Sequence, residues 1–257
     1  MRWVFGWLAL LAVPLLLVGF VALSFSYPSL IHLRSPHYTH HYRLTLEVEA
    51  DGDVHTGSGV IAVVWRYGGT WETPDEYGAW HETVRGQAVA VDLGRRGLLI
   101  ARLEDEGYFG GVPIEKIAQA VIGSAAAGIP PPPAAEVPIG TWRLDRATRS
   151  ALVQLEGRRL ALAPDGAMPS LVWLPDPTDP TAGVGVPGAE ALPTVVPGVR
   201  WRGAWIEVTD DAVTTDLFSR LPWLAARYQS EKERGRSESR GDLRLPAWSL
   251  TRGIEPP

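Results

Sequence analysis

The 257-residue chain is 46% hydrophobic, carries a net charge of −5 and contains no cysteine. Disulfides, thiolate zinc sites, a cysteine nucleophile and a lipid-modified cysteine are therefore excluded. The mildly acidic balance lacks the clustered Lys and Arg that nonspecific nucleic-acid binding uses to neutralise phosphates, so no nucleic-acid partner is expected.

The first element is an uncharged run of 23 residues, Trp3 to Phe25 (WVFGWLALLAVPLLLVGFVALSF). Crossing a hydrocarbon core of about 30 Å takes about 20 apolar residues at roughly 1.5 Å each. As a helix the run is apolar on every side, unlike the one-sided stripe of a soluble helix. Pro14 is tolerated within a membrane span. Trp3 and Trp7 at one end and Tyr27 past the other suit interfacial depths. Two readings compete: a retained signal anchor, and a cleaved signal peptide with Ala22-Leu23-Ser24 as its small-x-small site. Cleaved peptides have apolar cores of about 7–15 residues, and the greater length here favours the anchor. Arg2 before the run is nearly balanced by Arg34 and Arg43 after it, so N-terminus-inside is expected from position alone.

Residues 1–26 thus form the expected transmembrane segment, and 27–41 a polar, His-containing spacer. In Tyr42 to Glu49 the period becomes two: Tyr42, Leu44, Leu46 and Val48 share one face, as in a half-buried strand. Asp51-Gly52-Asp53 is turn chemistry. Gly59 to Trp65 (GVIAVVW) is β-branched and apolar and predicts a second strand. Residues 67–86 are expected as loop. Gln87 to Leu93 and Leu98 to Leu103 predict two strands joined by the Gly94–Gly97 link.

Pro113 to Ala127 predicts a helix, with proline at its first position and Ile114, Ile117, Ala118, Val121 and Ile122 in one stripe. The four prolines of 130–133 predict a stiff segment, placing an expected hinge at 128–138. Ala151 to Leu155 and Arg159 to Ala163 read as another hairpin, and Ser170 to Leu174 as a strand. Residues 175–200, rich in Pro and Gly, are expected to be irregular. Ala204 to Thr209 alternates as a strand. A helix capped by Thr214 or Thr215 should carry Leu217, Leu221, Leu224 and Tyr228, and Pro222 should break it. The β-rich domain is expected over 42–229, with 230–257 as a charged, partly disordered tail. The expected fold class is α+β: a membrane helix, then a mostly antiparallel β-rich domain with one or two accessory helices.

Four blocks carry a resemblance: YRLTLEVEADGDVHTGSGVI at 42–61, GQAVAVDL at 86–93, LVWLPDPTDP at 171–180 and WIEVTDDAVTTDLFSRLPWL at 205–224. Together, and in this order, they resemble a bacterial, largely proteobacterial, family of proteins that begin with one apolar helix and have no assigned activity. The resemblance covers about half the chain beyond the apolar run. It implies a bacterial membrane or envelope protein of unknown function and carries over no catalytic residue. With the apolar run as anchor, the expected location is the bacterial inner membrane, single-pass, with the globular domain periplasmic or extracytoplasmic.

The chemistry-bearing residues are scattered. His37, His40 and His41 are metal-ligand types, but no nearby acid completes the set and no HExxH is present. Asp210 and Asp211, with Asp216, bracket a strand-to-helix turn. Asp176 and Asp179 lie in a proline-rich loop, and Glu104, Asp105 and Glu106 precede a glycine. Ordinary turn and cap roles account for such acids, and calcium-loop spacing is absent. Ser58 sits between glycines but precedes a strand rather than a helix, unlike a nucleophile elbow. No phosphate-binding or dinucleotide fingerprint occurs, and no cofactor is expected. Of the 11 tryptophans, Trp65, Trp71 and Trp80 surround one loop; they are core residues or, if exposed, a stacking surface for a glycan. The favoured expectation is a non-enzymatic envelope protein that binds or scaffolds, with an envelope protein or glycan as partner. An envelope hydrolase with a His/acid site drawn from His55, His81, Asp75, Glu76 and Asp210, and a carbohydrate-binding module using the three Trp rings, are the alternatives.

Overall fold

The computed structural model describes residues 37–67, 80–103, 114–128, 146–162, 168–234 and 245–256. The chain divides into two units, 1–38 with 66–81, and 39–65 with 82–257. Of the first, only short strand ends are described; the helices and the body of both sheets belong to the second. The run 3–25, the proline run and the acids 104–106 lie outside the described residues. Among the described residues no helix is long and apolar enough to cross a membrane.

Strands β1 (His37–Ala50) and β2 (Asp53–Tyr67) are joined by Asp51-Gly52. Both turn residues have positive φ, 54° and 92°, the left-handed pair whose twist matches the flanking strands. Strand β1 keeps the expected period of two. His40, Tyr42, Leu44, Leu46, Val48 and Ala50 are buried, and the residues between them half-buried. Further along the chain lie β3 (Trp80–Gln87), β4 (Val89–Asp92), β5 (Leu98–Ala101), helix α1 (Ile114–Ala127), helix α2 (Arg146–Gln154) and β6 (Arg159–Leu162). Then come β7 (Leu171–Leu174), β8 (Val184–Val186), the one-turn α3 (Leu192–Val195), β9 (Val199–Thr209), α4 (Leu217–Arg220), α5 (Leu224–Arg234) and β10 (Thr251–Arg252).

Two antiparallel sheets result, one of six strands in the order β10-β3-β2-β1-β9-β6 and one of four in the order β4-β5-β7-β8. In the larger sheet Leu44 faces Ile206 and Leu46 faces Ala204 across β1 and β9. The register then slips: Glu47 opposes Gly203 but Val48 opposes Trp201, leaving Arg202 as a bulge that adds local twist. The sheets meet at glycines of β2. A Cβ on Gly57 would lie 2.5 Å from the Ala90 carbonyl oxygen, and one on Gly59 would lie 3.1 Å from Val89 Cγ2. Only Ala88 separates β3 from β4, so one extended segment passes from the first sheet to the second. The fold is therefore α+β and β-rich.

The second sheet is closed by the C-terminal elements. Leu98, Ile100, Val172 and Leu174 pack with Leu217, Phe218, Leu221, Leu224, Leu245, Ala247, Leu250 and Ile254. Each large side chain moved from water into such a cluster contributes about 1.5–3 kcal/mol before entropy is counted. Pro222 divides α4 from α5 as expected. Neither threonine caps α4, whose N-cap is Asp216 without a side-chain cap bond. Instead Thr214 Oγ1 accepts from the Val60 N–H (2.9 Å) and its own N–H donates to the Val60 carbonyl (3.1 Å).

Five expectations need correction. Ala151 to Leu155 is the end of α2 and the turn after it, not a strand. Ala151, Leu152 and Leu155 are buried at helical spacing, while the β-branched Val153 that suggested a strand is 69% exposed. The expected loop 67–86 contains β3, anchored by buried Val84. The expected irregular stretch 175–200 holds β8, α3 and the start of β9. The expected tail 230–257 contains structure at both ends of its described residues: α5 continues to Arg234, and Leu245, Ala247, Trp248, Leu250 and Ile254 are buried, while 235–244 lie outside the described residues. Likewise the spacer 27–41 already contains the first residues of β1.

Candidate functional site

The residues singled out from sequence do not converge. Trp65 is 1% exposed, a core side chain whose ring has no face to offer a ligand. Trp71 and the side chain of Trp80 lie outside the described residues, as do the side chains of His37 and His81. His41 Nδ1 donates to the Asp211 carbonyl (2.7 Å), and His55 Nδ1 donates to the Asp92 carbonyl (2.8 Å). Asp211 pairs with Arg43 and accepts from the Thr209 hydroxyl (2.8 Å); Asp210 is exposed. Among the described residues no three His, Asp or Glu side chains gather as a metal site.

Asp176 and Asp179 are turn-formers in tandem. Each Oδ1 accepts from the N–H (2.8 Å) and hydroxyl (2.7 Å) of a threonine two residues on, Thr178 and Thr181. Those hydroxyl bonds, then the amide bonds, hold both carboxyls below their ordinary range.

His40 is buried on the inner face of β1, and this burial, reinforced by the charge of His41, lowers its pKa from 6.5 to about 4. The folded state thus binds fewer protons than the unfolded one between those values. Stability is present above pH 6.5 and is lost as pH falls toward 4, by about 2 kcal/mol from this group at pH 5. Urea midpoints are expected to fall between pH 7 and 5, and His40→Leu should flatten that fall. An equally steep fall in the variant would rule out His40 as its source.

The structure instead places a cleft of about 330 Å³ where α5 meets the C-terminal segment. Tyr228, Glu231 and Lys232 line it from α5, and Trp248, Thr251, Arg252 and Gly253 from the segment. Helical spacing puts 228, 231 and 232 on one side of α5. Glu231 is buried, and its carboxylate accepts from the N–H of Ala247 (Oε1 3.1 Å, Oε2 2.9 Å) and of Trp248 (Oε2 3.4 Å). It thereby satisfies the N-terminal donors of the 3₁₀ turn Ala247–Ser249. One turn earlier Arg227 donates to the Leu245 carbonyl (3.1 Å), lies over the Trp223 ring (5.3 Å) and approaches Glu231 (3.9 Å). Tyr228 meets the edge of Phe218 in a T-shaped contact.

The charges at the cleft are set by their partners. Lys232 Nζ donates to Glu255 (2.9 Å), which raises the lysine above its ordinary range. Burial pulls the Arg252 guanidinium below its ordinary range. The Trp248 indole N–H and the Thr251 hydroxyl are buried without a hydrogen-bond partner among the described residues. This site escaped the sequence because its halves are separated by the charged stretch 235–244. The usable signal was the apolar cluster Leu245, Ala247-Trp248, Leu250 that comes after that stretch. No protein-family model, curated protein or solved structure matches the chain.

Proposed function

We propose that this is a single-pass anchored protein of the bacterial envelope whose β-rich domain works by binding, as a receptor or scaffold module. In this reading the N-terminal run crosses the inner membrane as a helix and holds the domain on the periplasmic side. The observation that carries it is the uncharged run of 23 residues, 3–25, long enough to span and longer than a cleaved signal core. A cleft walled by aromatic rings supports a binding role. The resemblance of the four sequence blocks points the same way. The hydrolase alternative loses support because His55, one of its two histidines, gives a ring nitrogen to the Asp92 backbone carbonyl rather than to an acid.

Fractionation tests the anchor. The protein is expected in carbonate-washed membranes, with a mature N-terminus upstream of the apolar run. Leu16→Arg, which places a charge mid-span at about 2.5–3.5 kcal/mol, should reduce membrane retention. A soluble protein starting at Phe25 would overturn the anchor. Because the chain has no cysteine, a single Cys introduced at exposed Thr56 reports sidedness. Labelling by an impermeant maleimide in intact spheroplasts is the expected outcome, and labelling only after lysis would reverse the orientation.

A further inference from the structure

We infer that the outward face of the six-stranded sheet carries a binding platform at Trp205, and that it takes a neutral glycan of pyranose units. The inference rests on the binding role proposed above, to which it gives a ligand class, but not on membrane anchorage.

The registers of β1, β9 and β6 lay the platform out row by row. Thr45, Trp205 and Ala161 stand side by side across the three strands. Arg43, Glu207 and Arg159 form the row on one side of them, and Glu47 and Gly203 lie on the other. The alternate residues Leu44, Leu46, Ala204, Ile206 and Leu162 are buried, so these rows share the opposite face. On it Arg159 and Ala161 are exposed, and Thr45, Glu47, Gly203, Trp205 and Glu207 are half-buried. A solvated sheet face ordinarily carries polar side chains, which makes a central tryptophan unusual there.

The glycine sets the posture of the ring. A Cβ on Gly203 would lie 2.9 Å from Trp205 Cη2 and 3.0 Å from its Cζ2. The indole therefore lies along its own strand, in the space a side chain at 203 would fill. Thr45 and Ala161 flank it with short side chains, so neither neighbouring strand raises a wall beside it. A low, flat, apolar patch results, suited to the C–H face of a sugar ring.

The polar groups beside the ring match hydroxyls. Arg159 faces Glu207 in register, yet its guanidinium lies over the Trp205 ring, 4.6 Å from the centroid. Arg43 is taken by Asp211. Among the described residues Arg159, Glu207 and Glu47 enter no ion pair. The ring is thus edged by one guanidinium and two carboxylates with bonding capacity to spare. Sugar hydroxyls donate to the carboxylates and accept from the guanidinium, and bonds to charged groups are the stronger kind. An anionic glycan would meet two like charges, and a cation would meet Arg159. Stacking of an exposed guanidinium is weak, so a sugar takes its place on the ring and Arg159 moves to the sugar's edge.

The test is calorimetric titration of the full-length protein in a detergent without a sugar headgroup. Cellotetraose and chitotetraose are the neutral probes, with tetragalacturonate and choline as acidic and cationic controls. Saturable, salt-insensitive binding of at least one neutral probe is expected, tighter than about 1 mM. Both controls should be roughly tenfold weaker or worse. The tighter neutral probe identifies the preferred sugar. Trp205→Ala should weaken binding roughly tenfold. Ala161→Leu, at an exposed position, raises a wall beside the ring and should weaken it severalfold. Urea midpoints check that Trp205→Ala is folded; if it is not, Ala161→Leu decides. No saturable binding of either neutral probe would overturn the inference, as would equal or tighter binding of tetragalacturonate or choline. So would an affinity unchanged in the deciding variant. Membrane retention is read separately, so a failed titration with the protein still in washed membranes removes the glycan and leaves the anchor standing.

Discussion

Gly57→Ala is expected to destabilise the domain by about 3 kcal/mol, the upper end of ordinary overpacking. The added methyl would lie 2.5 Å from the Ala90 carbonyl oxygen, 2.8 Å from its carbon and 2.9 Å from Val91 Cγ2. Two of these are backbone atoms of β4, which cannot rotate away, so β2 and β4 must separate. Gly59→Ala is the informative comparison. Its nearest neighbour is the Val89 methyl at 3.1 Å, a side-chain end that can give, and about 1 kcal/mol or less is expected. Urea unfolding of both variants measures the difference as a shift in midpoint at unchanged slope. Equal midpoints for the two would mean that the sheets do not meet at Gly57 as described.

Glu231→Ala is expected to be comparably damaging, by about 3 kcal/mol. Hydrogen bonds to a charged group are worth about 1.5–3 kcal/mol, and the change also leaves buried backbone donors without a partner. The affected donors are the Ala247 and Trp248 amides, and Arg227 loses the carboxylate 3.9 Å from it. Glu231→Gln keeps one acceptor oxygen without the charge and should fall about halfway. Amide hydrogen exchange localises the effect: Ala247 and Trp248 should lose protection before the centre of β1 does. If these amides keep wild-type protection in the alanine variant, the carboxylate is not their anchor.

The parts of this fold that were legible in the sequence are those where one periodicity dominates. The alternation from Tyr42 to Glu49 and the stripe of α1 both reflect a single buried face. Pro222 marked the break between α4 and α5 because proline removes a donor and clashes one turn back. What was illegible depended on contacts between distant segments. Val153 carries the right local propensity for a strand, yet the buried neighbours of its helix outvote it. Glu231 looked like one more charge in a solvated run. Only its proximity to Ala247 turns it into a buried cap. Trp65 could be weighed as core or stacking platform from composition, but its burial is decided by what lies against β2. The cleft, built from 228–232 and 248–253, has no contiguous signature at all.

The crossing of chain at Ala88 and the packing of 245–256 over the second sheet also order events in time. Strand β10 pairs with β3, and the Leu250 carbonyl accepts from the Ala88 N–H (2.7 Å), so the residues made late complete contacts with those made early. Synthesis proceeds from the N-terminus at about 5–20 residues per second, so the second sheet stays uncovered for many seconds while the intervening residues are made. A chain in that interval is still unlocked and threadable, with the apolar side of β5 and β7 exposed to whatever escorts it. The last dozen described residues therefore act as the latch that ends this vulnerable period.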